Sequence, residues 1–235
     1  MKRKCGPMTV LLMLVMLVSC ASASPVDQLG RPLIRKLGTI DCDMVETTPV
    51  VFKGKVYRCE WVRKNYKGNE LGENYFHLVD LSTGKSTPPF AQGYVFASAF
   101  VDGDTIYVTG TSTEGGWTGQ RVKVFASKDL KKWQNWTALD LDGFGICNTS
   151  ICKADDRYVM MFEIHKPKEQ AGAAFTARFA SSKDLSNWRL TEPECVYAKD
   201  RYTAPHCLRY LNGYFYVFYL EAHNGYETRV VRRKT

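Results

Sequence analysis

Along most of the chain apolar and polar residues alternate with a period of two. The three-to-four spacing of an amphipathic helix is nearly absent. Four stretches share one outline of strand, tight turn and strand: TPVVFKGKVYRCEWV (48–62), SAFVDGDTIYVTGT (98–111), TSICKADDRYVMMFEI (149–164) and APHCLRYLNGYFYVFYLEA (204–222). Each turn is built from Gly, Asp or Asn. An aromatic follows it early in the second strand, at Tyr57, Tyr107, Tyr158 and Tyr216. These tyrosines recur at intervals of about fifty residues, the period of a repeated β unit rather than of a single sandwich. Between the hairpins the chain writes FASKDLKKW (125–133) and then FASSKDLSNW (179–188). Ser and Asp in such a segment bond nearby backbone N–H groups and hold a tight turn, which delivers the following Leu and Trp to an apolar face. The motif is therefore structural punctuation, and none of Ser127, Asp129, Ser182 or Asp184 is assigned to chemistry. A repeat of this length, all β and with about four strands per unit, predicts propeller blades, of which about four fit in this chain.

Composition agrees with a packed domain: 45% of the 235 residues are hydrophobic and 13% aromatic, which excludes a disordered chain. The first residues read as a targeting segment. Lys2, Arg3 and Lys4 precede an apolar run from Met8 to Val18, and Ala21-Ser22-Ala23 offers a small-residue cleavage site. The expectation is a signal peptide over 1–23 and a single propeller domain over 24–235, secreted or periplasmic. The alternative is a lipoprotein signal ending before Cys20, with Cys20 as the membrane anchor. No later run is long and apolar enough to be a transmembrane segment. Of the eight cysteines, Cys42, Cys59, Cys147, Cys152, Cys195 and Cys207 would remain. Cys147 and Cys152 form the likeliest local disulfide in an oxidising compartment, with buried free thiols an equal reading. Zinc is not expected, because no C-x2-C pair occurs.

The net charge is +8, three of it in Lys2, Arg3 and Lys4, and the remainder is scattered rather than striped. Nucleic-acid binding, which needs a basic patch with stacking platforms, is not expected. In a blade the first strand starts and the second strand ends on the same face. Residues at those places should converge on one central pocket. Glu46 and Thr48 lie early in the first unit, Asn148 and Ser150 in the third, Pro205 and His206 in the fourth. Glu60, Glu163 and Glu221 come late in second strands, and FEIH and LEAH place His165 and His223 two residues beyond Glu163 and Glu221. Trp117, in the Gly-rich STEGGWTGQ, is either a stacking platform or a loop anchor. Each glutamate could instead pair with an arginine, the candidates being Arg58, Arg63, Arg178 and Arg229.

Hairpins such as VVFKGKVYR followed by SKDL..W resemble the five-bladed propeller of glycoside hydrolase families 43 and 32, over about residues 40 to 235. The resemblance implies an enzyme that cleaves a glycosidic bond in a polysaccharide or oligosaccharide with two carboxyls. Glu46 would be the base or nucleophile and Glu163 or Glu221 the acid. Asn148, His165, His206, His223 and Trp117 would bind the carbohydrate, with no cofactor and no metal. The families usually place an Asp before the Pro of the first inner strand, a second acid on blade two and a Glu before a later Gly-Pro or Ala-Pro step. This chain has Thr48, FASAF and Thr203 there. A non-catalytic carbohydrate-binding propeller is the alternative. A metal site from Glu163, His165, His206, Glu221 and His223 is a third reading. Aligning RVVRRKT (229–235) with the earlier copies puts Arg233, Lys234 and Thr235 beneath Ser182, Lys183 and Asp184. That implies a domain incomplete at its C-terminus, or an inactive truncated fragment.

Overall fold

In the computed structural model, alternation becomes fourteen antiparallel strands and one short helix among the described residues. The structure describes residues 28–29, 45–173, 175–196, 198–222 and 225–234, and the account below concerns the unit Asp41–Thr235. The signal segment, Cys20 and His223 lie outside the described residues. The first sheet holds β1 (Thr48–Phe52), β2 (Lys55–Val62) and β3 (Tyr75–Asp80), extended by single bridges from Phe76 to Phe90 and Val79 to Ser86. The second holds β4 (Val95–Asp102), β5 (Thr105–Thr111), β6 (Arg121–Ser127) and β7 (Gln134–Asp140). The third holds β8 (Gly145–Lys153), β9 (Tyr158–Lys166), β10 (Thr176–Ser182) and β11 (Trp188–Leu190), with α1 (Lys168–Ala171) between β9 and β10. The fourth holds β12 (Tyr202–Leu211), β13 (Tyr214–Ala222) and β14 (Tyr226–Lys234). Strands are adjacent in chain order within every sheet, and β1, β4, β8 and β12 pack against one another in turn. These are four blades of a five-bladed-type β-propeller, with the first strand of each blade innermost.

Local chemistry sets the turns. Lys53-Gly54 and Asn212-Gly213 both have positive φ at each position, which is the two-residue hairpin geometry that Asn-Gly and Gly favour. The S-K-D-L segments are turns from β6 into β7 and from β10 into β11. Ser127 Oγ accepts from the Leu130 N–H (2.9 Å), and Asp129 Oδ1 accepts from those of Lys131 and Lys132 (2.9 and 2.8 Å). Asp184 repeats this with Ser186 and Asn187. Leu130 and Leu185 then enter the cores between blades, and Trp133 stacks on Phe90 of the first blade at 3.7 Å.

Three apolar cores lie between consecutive sheets. Phe76, Leu78 and Val108 fill the first, Met160, Phe162 and Leu185 the second, Met161, Leu208 and Val217 the third. Polar ties cross the same seams: Thr109 to Thr149 (2.6 Å), Thr111 Oγ1 to the Cys147 carbonyl (2.8 Å) and the Leu208 N–H to Ser150 Oγ (3.0 Å). Cys147 and Cys152 are both free. They sit five residues apart on one strand, about 16 Å at the usual rise, and pack into different cores, so they do not form the local disulfide that their spacing suggested.

Candidate active site

The end of the propeller opposite the hairpin turns collects the starts of the inner strands and the ends of their partners. Register breaks occur at the same place in three blades: between Val95 and Ser98 in β4, between Ile146 and Thr149 in β8, and between Thr203 and His206 in β12. Such bulges re-aim side chains. Here they turn Phe96, Cys147, Asn148 and His206 toward the propeller axis. Phe96 has φ of 59° and Glu46, just before β1, has φ of 46°, left-handed conformations that side chains other than Gly adopt at a cost of about 1–3 kcal/mol.

Glu163 is the centre of the site and is 0% exposed. Its Oε1 accepts from the backbone N–H of His206 (2.9 Å) and from His206 Nδ1 (2.7 Å), and its Oε2 accepts from Asn148 Nδ2 (2.9 Å). Three donors, from two blades, satisfy this buried carboxyl. Glu46 has the opposite environment. Its Oε2 is buried and has no hydrogen-bond partner among the described residues. Burial first, and then the charge of Glu163, push its carboxyl from 4.5 up to about 7, against the pull of Arg63. Burial, with Glu163 and Glu46 adding, likewise raises the Cys147 thiol, and burial, with Glu163 contributing, raises the Tyr202 phenol. Glu163 thus lies within electrostatic reach of Glu46, Cys147 and Tyr202.

Glu221 occupies the equivalent place on β13 and is treated differently. It lies between Arg201 (3.7 Å) and Arg229 (3.5 Å), of which Arg229 was one of the arginines expected to pair. Glu60 is bonded to His77 Nε2 (2.6 Å) and to Arg58. Burial pushes its carboxyl up, but these two partners outweigh burial and hold it below its ordinary value. Neither acid is brought to Glu46. His165 does not touch Glu163. Its Nε2 bonds Thr118 Oγ1 (2.8 Å), and its ring lies against the indole of Trp117 at 4.7 Å. Gly145 must be glycine for this, since a Cβ there would meet the His165 ring. Burial, with Lys166 adding, lowers the His165 pKa. Trp117 remains 55% exposed.

Sequence reading missed the aromatic rim. Trp61 lies 5.1 Å from Phe96, Phe96 6.2 Å from Trp117, Trp117 5.8 Å from Phe175, Phe175 5.9 Å from Tyr202, and Tyr202 6.4 Å from Tyr226. The arc runs through all four blades. Early position in an inner strand, which singles out Glu46 and Asn148, applies equally to Phe96 and Tyr202. Among the described residues no group of three or more His, Cys, Asp or Glu side chains is arranged to hold a metal ion. No helix among them is long and apolar enough to cross a membrane.

No protein-family model matches the sequence, and no curated protein does so. Solved structures do match. A thermostable family-43 glycoside hydrolase superposes with a TM-score of 0.60 at 14% identity, over 81% of this chain and 71% of its own. A family-32 β-fructofuranosidase of Bombyx mori superposes with a TM-score of 0.59 at 16% identity, over 81% of this chain but only 46% of its own. A further glycoside hydrolase gives 0.55 at 19%, over 88% and 74%. The chain has the glycoside hydrolase family-43 and family-32 fold. Identities this low speak to the fold alone. Thr48, the FASAF segment of β4 and Thr203 stand where an acid was expected from the resemblance, so the chemistry of this chain rests on its own residues.

Proposed function

We propose that the protein is a glycoside hydrolase whose acid pair is Glu46 and Glu163. The observation that carries this is the pair of opposed environments: one carboxyl kept neutral by burial and by its neighbour's charge, the other saturated with donors. A carboxyl with a raised pKa beside one held by donors divides the roles of acid and base. Glu46 donates its proton to the glycosidic oxygen as the bond to the anomeric carbon breaks. The Glu163 carboxylate serves the anomeric carbon as nucleophile or as base for water. This exchanges the roles that strand position suggested. His206 and Asn148 position Glu163 from two blades, and the aromatic arc supplies faces on which sugar rings stack. The fold shared with family-43 and family-32 glycoside hydrolases supports the same reading.

A polysaccharide or oligosaccharide is the proposed substrate and an exported location the proposed setting, the latter from the Lys2–Lys4, Met8–Val18 and Ala21–Ala23 pattern. N-terminal sequencing of the protein recovered from its producing cell checks the export. The absence of acids at the three expected positions favours a second reading, a propeller that binds glycans without cutting them. Release of reducing ends from a panel of plant and microbial polysaccharides separates the two. A hydrolase releases them, and loses that activity in Glu163→Gln and in Glu46→Gln while binding persists. A binder releases none.

A further inference from the structure

Beside the acid pair a cleft of about 700 Å³ opens between the first two blades, with Trp61, Phe96 and Trp117 as its walls. Phe96 belongs to one buried cluster with Cys147, and Trp61 packs against that cluster. Two cations, Arg63 and Lys64, line the cleft, and no carboxylate does. Lys64 is held there by its backbone: its N–H donates to Asn74 Oδ1 (3.1 Å), and the same oxygen accepts from the Trp61 indole N–H (3.1 Å). One amide therefore fixes the aromatic wall and the lysine together. The Lys64 ammonium has no carboxylate partner among the described residues. The nearby loop acid, Glu114, is taken up by Arg121 at 3.5 Å. Glu60 is on the other side of Trp61, bonded to Arg58 and His77.

We propose that this cleft selects an acidic glycan, a sugar chain carrying a carboxylate or sulfate near the bond presented to Glu46 and Glu163. The inference rests on reading the aromatic arc as a glycan platform, and it adds the substrate class. A neutral sugar needs acceptors as well as donors around its hydroxyls. This cleft offers stacking faces and the Lys64 ammonium, with no carboxylate in its lining, the complement of a ring with an anionic substituent. Carboxylate and sulfate have the same chemistry here, and both take charge-assisted bonds from an ammonium.

Calorimetric titration distinguishes them. The probes are tetragalacturonate, the same oligosaccharide fully methyl-esterified, a sulfated galactan tetrasaccharide and its desulfated form. The proteins are the wild type and Lys64→Gln, an exposed substitution outside the acid pair. One charge-assisted bond in a partly enclosed cleft corresponds to about a tenfold gain in affinity of the charged ligand over its uncharged twin. The gap should shrink as salt rises from about 0.02 to 0.5 M and should be largely lost in Lys64→Gln. A gap in the galacturonate pair identifies a uronate, and a gap in the galactan pair identifies a sulfate. Equal affinities within both pairs, or no binding by any of the four, overturns the proposal, as does a gap that Lys64→Gln leaves intact. Binding is read without turnover, so an acidic-glycan binder that cuts nothing would refute the hydrolase reading and leave this one standing.

Discussion

Glu46→Gln should make the protein more stable above neutral pH and leave it nearly unchanged in acid. In the folded state burial and Glu163 raise the Glu46 carboxyl from 4.5 to about 7. The unfolded chain ionises near the lower value, so it gives up its proton first as pH rises. At about 1.4 kcal/mol per pH unit, the folded protein loses roughly 3 kcal/mol from this one group between pH 4.5 and about pH 8. A raised pKa contributes stability that is whole below the unfolded value and lost on passing through the folded one, and that is the window expected here. Glutamine keeps the shape and has no charge to bury. Urea denaturation of both proteins across this range measures the difference. With a slope of about 2 kcal/mol per molar, the variant's midpoint should exceed the wild type's by about 1.5 M at about pH 8, and by little at pH 4.5. Groups that do not sense the Glu46 charge titrate identically in both proteins and cancel. A difference that stays flat with pH would refute the assignment of a neutral, buried Glu46. In a Glu163→Gln background the gap should narrow without closing, because burial is the larger cause.

Hydrolytic activity, measured as reducing-end release against pH, should fall as pH rises through about 7, where Glu46 loses the proton it donates. His206→Ala removes one side-chain donor from Glu163 and should cut kcat by about a hundredfold with KM little changed, the pattern of a lost positioning contact in a catalytic pair. Glu221→Gln leaves Arg201 and Arg229 without their shared acid, so it should lower the unfolding midpoint while sparing kcat. Leu185→Ala, at the buried turn between β10 and β11, should cost about 2–5 kcal/mol in urea denaturation and leave the pH profile of activity in place.

The blades were legible because their determinants are local. Alternation, Lys-Gly and Asn-Gly turns and the S-K-D-L segment each act within a few residues, and each predicted hairpin is present. The candidate site was legible only as a set of positions. Glu163 and Asn148 were found, but the bond from His206 spans 43 residues and depends on a bulge in β12 that no periodicity announces. The paired Glu-x-His segments suggested equal roles for Glu163 and Glu221. The surroundings separate them: Asn148 and His206 reach one, Arg201 and Arg229 the other. The proposed exchange of acid and base between Glu46 and Glu163 follows from the donors each receives, three on Glu163 and none on Glu46 Oε2 among the described residues, and strand position does not carry this. The aromatic arc likewise depends on where β4 and β12 turn their first residues, through a left-handed Phe96 and the bulges beside it.

The most direct test of the account is reducing-end release from acidic and neutral polysaccharides by the wild type, Glu46→Gln and Glu163→Gln, side by side. The account expects release by the wild type, at least a thousandfold loss in each variant, and retained glycan binding in both. Release that survives either substitution would contradict the acid pair, and a wild type that binds glycan and releases nothing would contradict the hydrolase.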